Sequence, residues 1–546
     1  MSLIHRQVTA GRSAAHRCLV VHETFQKIVE ELQGLEGPRK TTLASLARTC
    51  RTFHHFAEPM LWQELPSILP LLRKLPKGQW TQIADECERS VFTFVPGAKI
   101  HLVDLKPYSE WVQRLNCRIN LHEDVYIYSM NILASLCRVQ GALCPKLRHL
   151  LWHEHRRDYA SFLDVLAPSS LRSLHIMTPA SLSYHCPDIT EGIHDVDHYQ
   201  YLFPHLEDLS VRYFYGTLDM FDHPRWSLLP SDRLKRLAVT SRVSAVSLLA
   251  LSRLPNLSHM DIRTDCTALG ATLRNLPALD APCFPVLRSL RLALDLLNED
   301  VIAFFGKIKQ SYLEDLTIIA LGATSGRNLR SFFEACASGT YGLSLRSLRV
   351  HISTRDSVPG WQEVPDPRVE QPYTVVFDTL KPLLKMPNLE DIGITFAYTI
   401  LDVHSLRKLA CGLPRLTSLH ISTDLDMPAG YIISPRVPLD ALRIFADRSE
   451  QLRSLSLTMH AAMPPTPLPA HWLSRSRVRE LSVGDSAIYS AEKVATYLIA
   501  LFPDLRGVKY SPRARGDESF HEMERRARAW LKVNRLLLNR TIDPIP

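Results

Sequence analysis

Two histidine clusters are the first places to look for chemistry in this 546-residue chain. In His153-Glu154-His155 the imidazoles sit two residues apart, so a strand would point both to one face. A tetrahedral metal would still need ligands from other segments. His194-Asp195-Val196-Asp197-His198 places carboxylates between two further imidazoles. With 23 histidines, however, such doublets arise by chance, and both lie near expected loops. They read as solvated side chains, with no metal site and no cofactor. The sequence contains no Gly-x-Ser-x-Gly elbow, P-loop, His-Glu-x-x-His or paired Cys-x-x-Cys. We therefore assign no catalytic residue and expect a protein that is not an enzyme.

The remaining reactive residues point the same way. Eleven cysteines without a spacing pattern read as reduced, buried thiols of a cytoplasmic and/or nuclear protein. A net charge of +8 permits acidic partners without demanding nucleic acid. The basic cluster Arg513, Arg515, Arg525, Arg526, Arg528, Lys532, Arg535 and Arg540 is interleaved with Glu518, Glu522 and Glu524. It also carries an apolar stripe of Phe520, Trp530, Leu531 and Leu536–Leu538. That is the pattern of an amphipathic closing helix, and it argues against a nucleic-acid site. The longest uncharged apolar run, around Ser244–Ser252, is about half the ~20 residues a membrane span needs. The acid-free first 22 residues carry Arg6, Arg12 and Arg17, a composition seen in transit peptides. Their shortness and Gly11 favour a plain polar leader.

What the chain has in excess is leucine: 83 residues, about 15%. They recur with apolar residues at positions 1, 4 and 6 of a unit, as in Leu171-Leu174-Ile176, Leu290 and Leu292 after Leu287, or Leu345-Leu348-Val350. Thirteen copies run from Leu147 to Leu505 with a mean spacing of about 30 residues. Many open with an apolar residue, Pro, any residue and Leu, as in Leu254-Pro255-Asn256-Leu257 and Met386-Pro387-Asn388-Leu389. Proline ends the preceding helix and sends the chain into an extended stretch. Positions 4 and 6 alternate with polar neighbours, as in a strand buried on one face. Helical stretches are expected at Asn298–Ser311, Asn328–Ala337, Val375–Lys385, Val403–Gly412, Leu439–Ser449 and Ala491–Leu501. One strand and one helix cannot bury their own apolar faces, whereas stacked units share a core. The pattern resembles a leucine-rich-repeat solenoid, α/β in class, with a parallel sheet inside and helices outside.

The resemblance is to a degenerate array. Where the family has Asn or Cys, eight residues after the first Leu, this chain has His155, Asp265, Ser353 or Asp424, among others. If positions 4 and 6 face the core, positions 3, 5 and 7 line the concave side. They supply a polar surface for a protein target, with Arg212, His259, Asp261, Arg263, Arg291, Arg349, His351 and His420 as candidate contacts. Arg263, Arg291 and Arg349 suit an acidic or phosphorylated ligand. The insertions Ala180–Tyr201 and Ser353–Pro372 are long enough to act as binding loops.

Ahead of the array, residues 20–65 read as three short helices. The first, about His22–Leu32, aligns Phe25, Ile28, Val29 and Leu32; the second, about Thr41–Cys50, aligns Leu43, Leu46, Ala47 and Cys50. The third begins near Thr52 and carries Phe53, Phe56, Met60, Leu61 and Trp62. So many large apolar groups on about 45 residues call for a second surface. Val20-Val21-His22-Glu23-Thr24-Phe25, Leu43-Ala44-Ser45-Leu46-Ala47-Arg48-Thr49-Cys50 and Glu58-Pro59-Met60-Leu61-Trp62 resemble an F-box, in particular the F-box proteins of mushroom-type fungi. Val21 stands where the family has Pro.

The resemblance implies a substrate receptor of a Skp–cullin–F-box ubiquitin ligase. Its F-box would bind a Skp-type adaptor, and so the cullin ligase core, through Glu23, Phe25, Ile28, Leu43, Leu46, Ala47, Cys50 and Phe53. The alternative is a repeat scaffold whose helices only cap the array. The expected organisation is a leader at 1–19, an F-box-like unit at 20–65, and a helical linker and cap at 66–140. Repeats would follow at 141–512, then a capping helix and tail at 513–546.

Overall fold

A computed structural model describes residues 27, 39–84, 90–117, 123–125, 127–153, 163, 168–178, 203–213, 233–275, 283–308, 312–322, 324–353, 374–396, 398–423, 437–469, 471–511 and 520–539. The chain divides into two units, residues 1–218 and 219–546, each taken by itself below.

The first unit opens with helices α1 (Arg39–Ala47) and α2 (Arg51–Gln63), which pack on each other. Leu43 and Ala57 are their buried centre, surrounded by the half-buried Leu46, Ala47, Phe53, Phe56, Met60 and Leu61. Cys50 caps α2, its sulfur accepting the Phe53 amide hydrogen at 3.5 Å. Helix α2 then runs directly into strand β1 (Glu64–Leu65). Strand β1 pairs in parallel with β2 (Arg114–Cys117), followed in order by β3 (His149–His153), β4 (Ser173–Thr178) and β5 (Asp208–Tyr213).

The repeat therefore begins earlier than Leu147. Val112, Leu115 and Cys117 already obey the 1, 4, 6 spacing, with Val112 and Leu115 buried. Residues 66–140 were expected to be helical, and only part of them is. Trp80–Ala84 and Ser90–Phe94 form an antiparallel pair, joined in parallel by Glu123–Val125, before helix α3 (Ile127–Gln140). The run Ser90-Val91-Phe92-Thr93-Phe94 is aromatic and β-branched, which favours a pleated, half-buried surface. Ser129 of α3 holds it, its hydroxyl accepting the Phe94 amide hydrogen at 2.8 Å.

Among the described residues the second unit contributes ten parallel strands to the main sheet. They are β6 (Arg236–Arg242), β7 (His259–Thr264), β8 (Ser289–Leu294), β9 (Asp315–Ala320), β10 (Ser347–Ile352), β11 (Asp391–Phe396), β12 (Ser418–Thr423), β13 (Ser454–Leu457), β14 (Glu480–Ser482) and β15 (Gly507–Lys509). With β3, β4 and β5, one strand arises at each of the thirteen copies. Position 4 lies opposite position 4, as in Leu290 opposite Leu316 and Leu316 opposite Leu348. Backbone bonding enforces this pairing. The carbonyl of residue 2 in one coil accepts the amide hydrogens of residues 2 and 3 in the next. Arg288 O takes Glu314 N at 2.7 Å and Asp315 N at 2.9 Å; Glu314 O takes Arg346 N at 2.8 Å and Ser347 N at 3.0 Å.

Behind the sheet lies the helical layer. It comprises α4 (Ala245–Ser252), α5 (Cys266–Asn275), α6 (Glu299–Lys307), α7 (Gly326–Ser338), α8 (Val403–Gly412), α9 (Leu442–Arg448) and α10 (Ala491–Leu501). Ser244, Asn298, Ser325, Asp402 and Ser490 start five of them, each side chain accepting the amide hydrogen three residues on. The expected helix Val375–Lys385 is one short helical turn, Phe377–Leu380, continued as a 3₁₀ segment Lys381–Lys385, because Pro382 lacks the hydrogen a longer α-helix requires. Phe284, Phe304, Phe305, Phe332 and Phe333 form an aromatic spine between the layers, with ring centroids 5.1–6.2 Å apart.

Helix α11 (Phe520–Asn539) closes the last coil. Trp530 donates to the Ser486 carbonyl at 2.9 Å, and the buried Arg526 to that of Asp485 at 2.9 Å. Asn534 stands in for the next strand: its amide oxygen accepts the Val508 N–H at 2.6 Å, and its NH₂ donates to the Val508 carbonyl at 2.8 Å. A raw sheet edge is thereby satisfied. Asn534→Ala should destabilise the second unit by about 1–3 kcal/mol in urea unfolding. Leu316→Ala in the centre should cost about 2–5 kcal/mol.

Candidate functional site

The residues assigned to adaptor contact fall into three groups. Glu23, Phe25 and Ile28 lie outside the described residues. Leu43 is 1% exposed, so it is a packing residue of the α1–α2 pair and does not present its side chain outward. Leu46, Ala47 and Phe53 are half-buried around it, and Cys50 is exposed while serving as the cap of α2. The pair is tied to the first coil. Trp62 of α2 packs on Tyr108 at 4.8 Å, and the Lys74 ammonium lies over both rings at 5.2 and 4.6 Å.

The outward face of the strands follows the alternation read from sequence. In β7 His259, Asp261 and Arg263 point out, while Met260 and Ile262 are buried. Strand pairing turns residues about 30 apart into neighbours. Asp261 lies opposite Arg291, their carboxylate and guanidinium 3.7 Å apart. Arg349 lies opposite Gly393, which is itself opposite His420. Arg349 reaches the Asp391 carboxylate, with Nε at 2.8 Å and Nη2 at 2.6 Å, and the Ser347 hydroxyl meets the same carboxylate at 3.1 Å. Gly393 leaves room for this, since a Cβ there would stand 3.2 Å from Arg349 Cγ.

Arg291 and Arg349 are thus compensated within the sheet, and the face carries both signs of charge. Such exposed pairs are worth little, about 0–1 kcal/mol, and a ligand can replace either partner. A shift of register in β6 sets Arg263 opposite Arg242, which reaches Asp265 at 3.6 Å. His259 meets the Ser258 hydroxyl at 2.9 Å, and His351 stands opposite Ile319 and Thr395. Arg212 belongs to the first unit, exposed on β5 opposite Met177 of β4.

Asp391, Gly393 and Thr395 were left out of the sequence assignment, although the same positions 3, 5 and 7 after Leu389 mark them. A second omission needed register. Residue 2 of successive coils stacks as Arg288, Glu314, Arg346 and Glu390, with ion pairs at 3.1 Å (Arg288–Glu314) and 3.9 Å (Arg346–Glu390). Toward the end of the unit the same rung reads Arg453, Arg479 and Arg506, all exposed, with no acid between them.

Titratable groups report this crowding. Burial lowers the His420 imidazole pKa below its ordinary value; Asp391 opposes the shift and Arg349 adds to it. Burial, then Glu314, raises the Asp315 carboxyl. In the first unit, burial and then Arg114 lower His149, with Asp208 opposing. Burial pushes the Cys137 thiol up to about 11 and also raises that of Cys336, so these are inert packing groups, whereas Cys50 and Cys411 are exposed. Of the histidine clusters, His153 ends β3, and His155, His194 and His198 lie outside the described residues. Among the described residues no three metal-ligand side chains gather, and no helix is long and apolar enough to cross a membrane.

No family model and no curated protein matches the sequence. Among solved structures the chain is similar to one in the crystal structure of the Rad7 and Elc1 complex in yeast, at 10% identity and a TM-score of 0.35, covering 88% of this chain and 96% of that one. A superposition this loose carries no argument about function.

The depressed His420 gives a test. The folded chain binds fewer protons there than the unfolded chain, so His420 costs nothing above its ordinary pKa of 6.5. Stability is lost as pH falls below that value, until the folded imidazole also protonates. His420→Gln should therefore flatten the decline of the urea midpoint between about pH 7 and pH 5. An unchanged slope would remove His420 from that account.

Proposed function

We propose that this chain is the substrate-recognition subunit of a Skp–cullin–F-box-type ubiquitin ligase. The helices before the array bind a Skp-type adaptor, and the outward face of the strands holds a protein target. The observation that carries the reading is the α1–α2 pair. It resembles an F-box in sequence, keeps Leu46, Ala47 and Phe53 only half-buried, and continues without a loop into β1. A partner bound there would be held at a fixed place relative to the first coils. The chain itself does no chemistry: it raises the effective concentration of a target beside the ubiquitin-charged enzyme. A face of paired and stacked charges suits a polar protein surface, with Asp391 and Arg349 able to exchange their mutual bond for bonds to a ligand. In this reading the protein acts in the reducing cytoplasm or nucleus.

Co-purification with the adaptor tests the first half. Phe25→Asp combined with Leu46→Asp should abolish adaptor binding while the second unit keeps its unfolding midpoint. Full retention of the adaptor leaves the scaffold reading, in which the helices merely cap the array. The second half is separate. Arg263→Glu with Arg291→Glu should reduce target capture by at least about tenfold, the equivalent of 1.4 kcal/mol, and leave adaptor binding intact. Capture that survives both reversals places the target elsewhere on the chain.

A further inference from the structure

Between β13 and β14 no helix occurs among the described residues. There the chain leaves a two-residue strand, His460–Ala461, and returns through a strap carrying Pro464, Pro465, Pro467 and Pro469. Within it, two residues three apart turn inward. Pro465 and Leu468 are half-buried, whereas Pro464, Thr466, Pro467 and Pro469 are exposed. With four prolines each extending the residue before it, that spacing fits one turn of polyproline II, which has no internal hydrogen bonds.

Such a segment must be held from outside, and its middle is held by one carboxylate. Asp440 accepts the Thr466 amide hydrogen at 2.8 Å and the Thr466 hydroxyl at 2.7 Å. Burial, then the charge of the same carboxylate, raises the pKa of the Tyr497 hydroxyl of α10. Farther along, the Trp472 amide donates to the Pro469 carbonyl at 2.9 Å, and the indole lies 4.5 Å from the Arg443 guanidinium.

We propose that Thr466 is a phosphorylation site for a proline-directed Ser/Thr kinase, and that its phosphate releases the strap from the coil behind it. The segment already has the extended, exposed backbone a kinase cleft takes. Pro467 follows the hydroxyl directly and brings no amide hydrogen, so a cleft offering no acceptor at that position loses nothing. In the step, the Thr466 oxygen attacks the γ-phosphorus of Mg-ATP. The oxygen–phosphorus bond forms, the bridging bond to ADP breaks, and the hydroxyl proton passes to the kinase's catalytic base. The product has lost the hydrogen that bonded Asp440. It also carries a charge of about −1.5 to −2 against that carboxylate. An anchor of two donors on one anion, the Thr466 amide and hydroxyl on Asp440, becomes a repulsive pair.

The test treats the full chain with a proline-directed kinase and Mg-ATP and maps the phosphate. Label is expected on Thr466 and should be absent in Thr466→Ala and strongly reduced in Pro467→Ala. Hydrogen exchange at the amides of Thr466, Leu468 and Trp472 should then quicken by at least about tenfold, with the sheet amides unchanged. Asp440→Asn, which weakens the same anchor without phosphate, should quicken them in part. If a peptide spanning residues 460–472 is labelled and the folded chain is not, the site is overturned. Label on Thr466 with unchanged exchange, as when Arg443 captures the phosphate in place, overturns the release.

Discussion

The interaction on which the rest depends is a carbonyl used twice. In coil after coil the oxygen of residue 2 accepts two amide hydrogens from the next coil, so residue 3 can only lie opposite residue 3. A slip by one would turn every leucine of a strand to water and every charge to the core. Because register cannot slip, the apolar residues at positions 4 and 6 stack into continuous columns. No coil buries these groups alone, and each is one wall of its neighbour's core.

The same constraint writes the surface. Side chains at a shared position stand about 4.8 Å apart whatever their separation in sequence. Where acid and base alternate, as at Arg288, Glu314, Arg346 and Glu390, the rung neutralises itself. Where arginine repeats, as at Arg453, Arg479 and Arg506, like charges are stacked at a cost the fold tolerates. Charge on such a surface belongs to a column of coils more than to any one residue.

Degeneracy of the repeat proved less damaging than its sequence suggests. The position where the family has a bonding Asn holds Asp295 in one coil, and its carboxylate accepts the Cys266 amide hydrogen of the preceding coil at 2.9 Å. In another it holds Ser486, whose hydroxyl accepts the Met459 amide hydrogen at 2.9 Å. Any short side chain with an acceptor can bridge neighbouring backbones there, so the family letter was a poor guide to the bond. Helices Val403–Gly412 and Ala491–Leu501 were legible to the residue, since Asp402 and Ser490 cap them and an apolar residue and proline follow. Helices Ala245–Ser252 and Cys266–Asn275 were passed over; the first is apolar nearly all round and lacks an amphipathic stripe.

By itself the sequence determined the period, the strands at all thirteen copies and the side of each strand that is buried. These are local properties: a proline, a leucine and an alternation act within a few residues of themselves. Tertiary structure decided what each outward residue meets. The sequence could name Arg349 as outward-facing, but its partner Asp391 and the clearance at Gly393 lie more than 40 residues away, across a strand pairing. It could place Leu43 on an apolar helical face, but only the packing of α1 on α2 showed that face to be the inside of the pair. Hydrophobic pattern acts along the chain, whereas charge pairing and burial act across it, and only the folded register brings the second kind of neighbour together.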